Sequence, residues 1–300
     1  MKQRERYIEG FTTWMQVLNY NKTSIHTYPI NIERLLSYMA ENEVTHIGAI
    51  TGERIKTYFQ YLATLTSQTG QPYKLGTLRV HLTTVKLFAK YLRETGQGQI
   101  EVPVQYCGKT DYKPAILTES EIKTLYESIE DNLLGMRDRA ILAIYYGCGV
   151  RRNEGTNIRV KDILPDRNLV YITTGKNYKE RYIPMVGQVK KDIIDYLTIA
   201  RPLLLNKRSH EYFFVAYTGH KMPHQSIYER VKILLKKANI DKPVGLHGLR
   251  HSIATHLLHQ GMKLTDIARF LGHATLESTQ IYTHIEADTN KDNNSKQDKK

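Results

Sequence analysis

The sequence predicts a mostly α-helical protein with a small antiparallel β-sheet, divided into an N-terminal helical bundle and a mixed α/β domain. Apolar residues recur at helical spacing through roughly the first 95 positions, without strand-like alternation. After residue 168, two short segments alternate apolar and polar side chains, as the strands of a β-hairpin do. Between these regions, residues 95–114 are rich in Gly and Pro and show no amphipathic period, which indicates a linker.

The composition favours a negatively charged partner. The 300 residues include 43 Lys and Arg against 30 Asp and Glu, a formal net charge of +13. Cationic side chains that neutralise phosphates release condensed counterions, so this excess favours nucleic acid. A basic enzyme with an uncharged substrate is the plainer alternative.

No feature of the sequence predicts a membrane or an oxidising compartment. No run reaches the ~18 apolar residues that a membrane span needs, and the charged start, MKQRERYIEG, lacks the apolar stretch of a secretion signal. The only two cysteines, Cys107 and Cys148, are far apart, which argues against a disulfide framework or a cysteine zinc site. We therefore expect a cytoplasmic protein.

Four amphipathic helices are predicted in the N-terminal region, with apolar stripes within residues 11–18, 32–39, 55–62 and 78–92. Four basic residues lie along the last helix, away from its apolar stripe: Lys74, Arg79, Lys86 and Lys90. Such charges form either an ordinary solvated face or a surface that follows a phosphate backbone. In a chain this basic, we predict that they bind DNA.

The second domain opens with a helix-start signal. Thr118 and Glu121 have the spacing of a capping box ahead of an apolar run. Residues 138–146 are apolar nearly all round, which indicates a buried helix. The chain then reads GCGVRRNE, so Arg151 or Arg152 lies near the domain centre, where a cation needs either Glu154 or a bound anion as its partner.

A β-hairpin is predicted from the alternating segments 169–173 and 180–185. Its tip carries Lys176 and Lys179. A lysine in such a turn is usually only solvated, but a flexible ammonium group can also reach a neighbouring site and give a proton to a leaving oxygen.

Three further elements are predicted after the hairpin. They are a helix over residues 192–205 that is interrupted at Pro202, a strand over residues 212–216, and a helix that Pro223 opens and Asn239 ends.

Residues 246–284 gather four chemically active side chains: His247, Arg250, His273 and Tyr282. The first two stand three positions apart in a predicted helix and so share a face, and Gly261 and Gly272 are expected to end successive helices. A guanidinium group binds phosphate bidentately, imidazoles transfer protons, and a phenol can attack phosphorus to form an ester. The combination suggests phosphoryl transfer without a metal or another cofactor.

Two plainer interpretations stand beside this one. The chain contains 21 Tyr, and an individual tyrosine is more often a packing residue than a nucleophile. His247 and His251 also have the spacing of a helical metal pair, but no Glu follows the first histidine and no third ligand is evident.

Taken in order, these motifs resemble those of the tyrosine recombinase (phage integrase) family, most closely its Xer-type and transposon integrases. The first arginine box resembles GVRRNE at 149–154, the hairpin lysine resembles Gly175-Lys176, and the later boxes resemble HGLRH at 247–251, LGH at 271–273 and IYTH at 281–284. One box alone would be weak evidence, whereas the ordered set with these spacings is strong. The resemblance covers nearly the whole chain, because the N-terminal helices also resemble the family's core-binding domain.

The resemblance implies a role for each site residue. Arg151 and Arg250 would hold the scissile phosphate, and Tyr282 would attack it to give a 3′-phosphotyrosyl intermediate. Lys176 would protonate the leaving 5′ oxygen. The two histidines would assist, His247 in proton transfer and His273 by a hydrogen bond to the phosphate.

The resemblance also implies an organisation and a set of partners. Residues 1–108 would form a helical, SAM-like core-binding domain and residues 109–288 the catalytic domain. Residues 289–300 are polar and lysine-rich, so their composition, and not the resemblance, predicts a disordered polar tail. The substrate would be double-stranded DNA, recombined by a homotetramer on paired sites, with or without accessory proteins. Integration, excision, inversion and dimer resolution all stay open, although the lack of a separate arm-binding domain favours a simple recombinase. The alternatives are a catalytically silent DNA-binding regulator and a type IB topoisomerase-like relaxing enzyme.

Overall fold

The computed structural model describes residues 2–67, 70–106, 114–173, 180–208 and 210–272. Its contacts divide the chain into two compact units, Met1–Tyr112 and Lys113–Lys300. Most described residues are helical, and the described strands form one small antiparallel sheet, so the predicted fold class is confirmed.

The N-terminal unit contains the four predicted helices. They are α1 (Lys2–Val17), α2 (Lys22–Glu41), α3 (Gly52–Thr64) and α4 (Leu75–Glu94). Phe11 of α1 and Phe88 of α4 are both fully buried and meet edge to face, with ring centroids 5.4 Å apart. Each helix buries one apolar stripe in this shared core, as its spacing predicts.

Part of the predicted linker packs on the core of the N-terminal unit. Ile100 is buried, and Val102, Val104 and Tyr106 pack against the core of the N-terminal unit, while the residues between them are exposed. This strict alternation is typical of an extended segment that lies along a protein surface. The sequence did not predict this segment as structured, because its apolar residues follow a period of two and not a helical period.

The second unit contains eight described helices. They are α5 (Glu119–Glu127), α6 (Leu133–Leu142), α7 (Arg152–Asn157), α8 (Gly187–Asp195), α9 (Arg201–Leu204), α10 (His224–Lys237), α11 (Leu246–His259) and α12 (Leu264–Leu271). The predicted capping box is present at the start of α5, where Thr118 Oγ1 accepts from the Glu121 N–H and Glu121 Oε2 accepts from the Thr118 N–H. The left-handed Asn239, Gly261 and Gly272 follow α10, α11 and α12 as expected.

The sheet consists of β1 (Ile163–Leu164), β2 (Leu169–Ile172) and β3 (Arg181–Pro184). β2 and β3 pair antiparallel, with Leu169 opposite Pro184, which confirms the predicted hairpin strands. The short first strand was not predicted, because two residues are too few to show an alternating pattern.

Two predicted elements differ from the structure. Pro202 does not interrupt its helix: it lies in the first turn of α9, directly after a π-helical turn over Tyr196–Ala200, where a missing N–H is tolerated. The predicted strand at residues 212–216 makes only single bridges, Arg159 with Tyr212 and Val215 with Lys221. Its consecutive buried residues, 213–215, pack on several sides instead of alternating across a sheet.

A π-helical turn also precedes the first arginine box. α6 continues into this turn over Ala143–Gly147, in which the Cys148 N–H donates to the Ala143 carbonyl at 2.8 Å. Gly149 then adopts a left-handed conformation, with φ of 57°. The buried helix therefore leads directly into Arg151, the residue that precedes α7.

No helix among the described residues is long and apolar enough to cross a membrane.

Replacing Thr118 with Ala should lower the free energy of unfolding of the second unit by about 1 kcal/mol, because the side-chain cap on the Glu121 N–H is lost. Urea denaturation of the purified protein measures this loss. The matched control is Thr124→Ala in the exposed interior of the same helix, where alanine should be neutral or slightly stabilising. Equal losses in both variants would show that the capping box contributes nothing.

Candidate active site

The start of α11 supplies His247 and Arg250. Arg250 is only 4% exposed. Its guanidinium group donates from Nη1 to the Gly149 carbonyl at 2.6 Å and from Nη2 to the Leu271 carbonyl at 2.9 Å. Arg250 therefore joins the first arginine box to the end of α12.

Arg151, and not Arg152, is the inward residue of the first arginine box. The Arg151 side chain is 18% exposed, whereas Arg152 lies on the surface. Arg151 Nη1 donates to Glu154 Oε1 at 2.8 Å, and Nη2 donates to the Gly272 carbonyl at 2.7 Å. The residue pattern alone left both arginines open, because adjacent identical side chains differ only in their tertiary contacts, and the family resemblance named Arg151.

A third arginine, Arg181 on β3, belongs to the same cluster and was not identified as a site residue. Its guanidinium group donates to both carboxylate oxygens of Glu154, at 3.2 and 2.8 Å, and from Nε to the Phe270 carbonyl at 3.1 Å. A signal did exist: β3 alternates buried and exposed residues, and Arg181 shares the buried face with Ile183. A buried arginine in such a strand requires a polar partner.

The end of α12 is the point where the three arginines meet. The consecutive carbonyls of Phe270, Leu271 and Gly272 accept from Arg181, Arg250 and Arg151, respectively. Carbonyls at a helix C-terminus lack partners within the helix and carry partial negative charge, so cations are favoured there. The arginine cluster of Arg151, Arg181 and Arg250 is thereby fixed around one turn of the chain.

Glu154 is the carboxylate within the arginine cluster. Burial alone would raise the pKa of its carboxyl, but hydrogen bonds and charge from Arg181, and then from Arg151, outweigh burial and lower the pKa to about 2. Glu154 is therefore ionised at neutral pH. Within the part of the chain that the structure describes, three guanidinium cations surround this one carboxylate, and the surplus of positive charge suits the cluster to an anion such as phosphate.

Two histidines of α11, His247 and His251, are held in the neutral form. Burial, followed by the charges of Arg250, Arg152 and Arg151, lowers the pKa of His247. Burial, His247 and Arg250 lower the pKa of His251 to about 4. A neutral imidazole can accept a proton, which is the capacity that a base needs.

Three of the predicted site residues cannot be placed. Lys176 of the hairpin tip, His273 and Tyr282 lie outside the described residues, as do Lys179 and the predicted disordered tail. Gly272, the last described residue, directly precedes His273 in the sequence. Where the structure describes the chain, it contains no group of three or more His, Cys, Asp or Glu residues placed to hold a metal, so nothing supports the His247 and His251 metal pair.

The four basic residues predicted to bind DNA belong to the N-terminal unit. Lys74 directly precedes α4, and Arg79, Lys86 and Lys90 lie on that helix. The three lysines are exposed and Arg79 is partly buried. Lys90 also forms an ion pair with Glu94, at 3.6 Å. These positions fit either a solvated face or a phosphate-binding one.

Comparison with known proteins identifies the class to which this fold and this arginine cluster belong. The phage integrase family model matches residues 115–289, more than half of the chain. The chain therefore belongs to the phage integrase family of tyrosine recombinases, as the ordered motifs predicted.

Individual relatives cover almost the whole chain. It is 30% identical over 285 residues to tyrosine recombinase XerD of Staphylococcus aureus, covering 94% of both chains. It is 29% identical over 294 residues to tyrosine recombinase XerC of Oceanobacillus iheyensis, covering 96% of this chain and 94% of the relative.

Solved structures share the fold. The XerA recombinase is 28% identical and superimposes with a TM-score of 0.52 over 94% of both chains. The XerH site-specific recombinase bound to palindromic difH substrate is 22% identical, with a TM-score of 0.72 over 92% of this chain and 80% of that chain.

Protein stability should fall with acidification through His251. Its folded-state pKa of about 4 lies below the ordinary 6.5, so the unfolded chain binds the proton more readily between these values. The stabilisation is complete above about pH 6.5 and is lost as the pH falls towards 4. Its size is on the order of 2 kcal/mol.

The measurement is urea denaturation at pH 7 and pH 4.5. The wild type should have a lower free energy of unfolding at pH 4.5 than at pH 7, and His251→Asn should remove part of this difference. His259→Asn, an exposed histidine on the same helix, should leave that difference unchanged. The explanation is wrong if His251→Asn retains the full difference.

Proposed function

We propose that the chain is a site-specific DNA recombinase that cleaves and rejoins DNA through Tyr282. The observation that carries this proposal is the convergence of Arg151 and Arg250 on consecutive carbonyls at the end of α12, one residue before His273. By their motifs, both arginines and that histidine would stand at the family's catalytic positions. Membership of the family and the similarity to XerC and XerD support the same activity.

The proposed chemistry is a transfer of the phosphoryl group to the tyrosine and back. The Tyr282 oxygen attacks the scissile phosphorus, the bond from phosphorus to the 5′ oxygen breaks, and a 3′-phosphotyrosyl ester forms. His247 accepts the phenol proton, and Lys176 donates a proton to the departing 5′ oxygen. A 5′ hydroxyl then attacks the ester and releases Tyr282, so the ester conserves the energy needed for rejoining.

The arginines act on the charge of the phosphate. Arg151 and Arg250 would bind its non-bridging oxygens, and their positive charge would stabilise the added charge of the pentacoordinate transition state. Their bonds to the backbone hold both guanidinium groups before substrate arrives. Such preorganisation lowers the reorganisation needed during the reaction. His273 would add a hydrogen bond to the same phosphate.

We further propose how the chain engages its partner. Double-stranded DNA is the substrate, consistent with the net charge of +13 and with the DNA-bound XerH and lambda integrase structures among its structural relatives. Residues 1–108 would bind the duplex through the basic residues of α4, and residues 109–288 would perform the chemistry. Four copies on two paired sites would exchange strands.

Replacing Tyr282 with Phe should abolish covalent attachment to DNA while leaving DNA binding intact, because only the nucleophilic oxygen is removed. The assay uses nicked suicide duplexes tiled across the DNA that flanks the gene, and it detects adducts by denaturing electrophoresis. Tyr217→Phe is the control, since Tyr217 is 76% exposed and lies outside the arginine cluster.

Each other outcome of this assay points to a different activity. An adduct with Tyr282→Phe would exclude Tyr282 as the nucleophile. Salt-sensitive binding without any wild-type adduct would favour the silent regulator, and relaxation of a plasmid that lacks the site would favour the topoisomerase-like enzyme.

The basic residues of α4 make a separate prediction about affinity. Lys86→Gln should weaken DNA binding and reduce the slope of log K against log salt by about 1, because one phosphate contact is lost. Fluorescence anisotropy over a range of salt concentrations measures the slope. Lys56→Gln is the control, since exposed Lys56 on α3 is paired with Glu53 at 2.9 Å. An unchanged slope for Lys86→Gln would assign that lysine to the solvated face.

A further inference from the structure

We propose that Arg181 is a positioning residue for DNA cleavage, which acts on the phosphate through Arg151 without touching the DNA. This inference rests on the proposed function and extends it to a residue outside the catalytic set named above. Arg181 lies on β3, and its side chain is only 8% exposed. Its contacts lead to the two structures that hold the catalytic arginines.

The first contact is with the carboxylate that binds Arg151. Glu154 Oε1 accepts from Arg151 Nη1 at 2.8 Å and from Arg181 Nη1 at 3.2 Å. Glu154 Oε2 accepts from Arg181 Nη2 at 2.8 Å and from the backbone N–H of Arg151 at 2.9 Å. Arg181 and Arg151 therefore share one carboxylate, and each limits how the other can approach it.

The second contact is with the turn at the end of α12. Arg181 Nε donates to the Phe270 carbonyl at 3.1 Å. The guanidinium group also packs against Gly272, where an added Cβ would lie 2.8 Å from Arg181 Nη1. Gly272 has a φ of 67°, which also favours glycine. The carbonyls of Leu271 and Gly272 that bind Arg250 and Arg151 therefore lie on a turn that Arg181 supports.

Charge explains why this support affects chemistry as well as folding. Arg181 shares the negative charge of Glu154 with Arg151, so Glu154 offsets the charge of Arg151 only in part. Without Arg181, the buried Glu154 carboxylate would depend on Arg151 as its cationic partner. Arg151 would then be drawn more strongly to the carboxylate, which competes with the phosphate for the same donors.

The contacts also specify arginine over lysine. Arg181 uses three nitrogen atoms: two donate to the carboxylate in parallel and the third donates to the Phe270 carbonyl. A planar guanidinium group provides this geometry, whereas lysine provides a single ammonium group on a flexible stem. Lysine would restore the charge without the geometry.

The test compares Arg181→Met and Arg181→Lys with the wild type on a nicked suicide duplex that the wild type cleaves. At saturating DNA, Arg181→Met should form the phosphotyrosyl adduct about 100-fold more slowly, the size of effect expected from losing one preorganised donor. DNA affinity should change less than about threefold, because Arg181 is buried and makes no contact with DNA. Arg181→Lys should recover part of the rate.

Two further measurements separate positioning from a general structural role. In an Arg151→Ala background, Arg181→Met should slow adduct formation only a little further, because both changes remove the same interaction with phosphate. A duplex with a neutral methylphosphonate at the scissile position should also reduce the defect of Arg181→Met, since less charge then needs to be neutralised.

Arg201→Met provides the matched control in the same unit. Arg201 is 7% exposed and donates to the carbonyls of His210, Tyr212 and Phe213, outside the arginine cluster. Any loss in this variant should follow the loss of folded protein, measured by circular dichroism, and should not respond to methylphosphonate. If Arg181→Met does not fold, the same measurements are made with Arg181→Lys.

The possible failures are distinguishable. A wild-type protein that forms no adduct on any duplex defeats the proposed recombinase function. A wild-type protein that forms the adduct while Arg181→Met keeps its full rate defeats only the inference about Arg181. The inference also fails if the double variant slows adduct formation by the product of the two single effects. It fails as well if Arg181→Met slows the reaction equally on the methylphosphonate duplex and on the ordinary duplex.

Discussion

Three guanidinium cations lie at one helix end, and the second unit must offset their mutual repulsion. The carbonyls of Phe270 to Gly272 bind one arginine each, and the buried Glu154 carboxylate lies between two of these arginines. Partial charges of a helix C-terminus and one full negative charge offset part of the repulsion. The remaining positive charge fits a phosphate.

The same contacts explain why elements far apart in the sequence must fold together. Arg151 precedes α7, Arg181 lies on β3 and Arg250 lies on α11, yet all of them depend on the end of α12. An arginine that lost its acceptor at this helix end would be a buried or half-buried cation with fewer partners, which is unfavourable. Assembly of the site and folding of the second unit are therefore coupled.

Local patterns in the sequence predicted which helices and strands form, but they did not predict the contacts between them. Helical spacing located the four helices of the N-terminal unit, and alternation located β2 and β3. The segment at residues 100–106 was not predicted, because a short alternating run that contains Pro103 differs little from a linker. Pro202 was misjudged because the preceding π-helical turn, which makes room for it, has no sequence signature.

The site was predictable only in part, for a similar reason. Motif order named Arg151 and Arg250, but the bond from Arg151 to Gly272 spans 121 positions and that from Arg181 to Glu154 spans 27. Periodicity reports which face of an element is buried, and it does not report what lies opposite. Arg181 could thus have been recognised as buried, while its attachment to Glu154 needed the structure.

The π-helical turn at Ala143–Gly147 has a consequence for how this protein can vary in length. A π-helical turn contains one residue more than the α-helical turn it replaces, and it absorbs that residue by widening, so the residues after it keep nearly the direction they would have in a regular helix. The same extra residue within a regular helix would turn everything that follows by about 100°. A one-residue difference in length between α6 and Arg151 can therefore be taken up by this turn without redirecting Arg151.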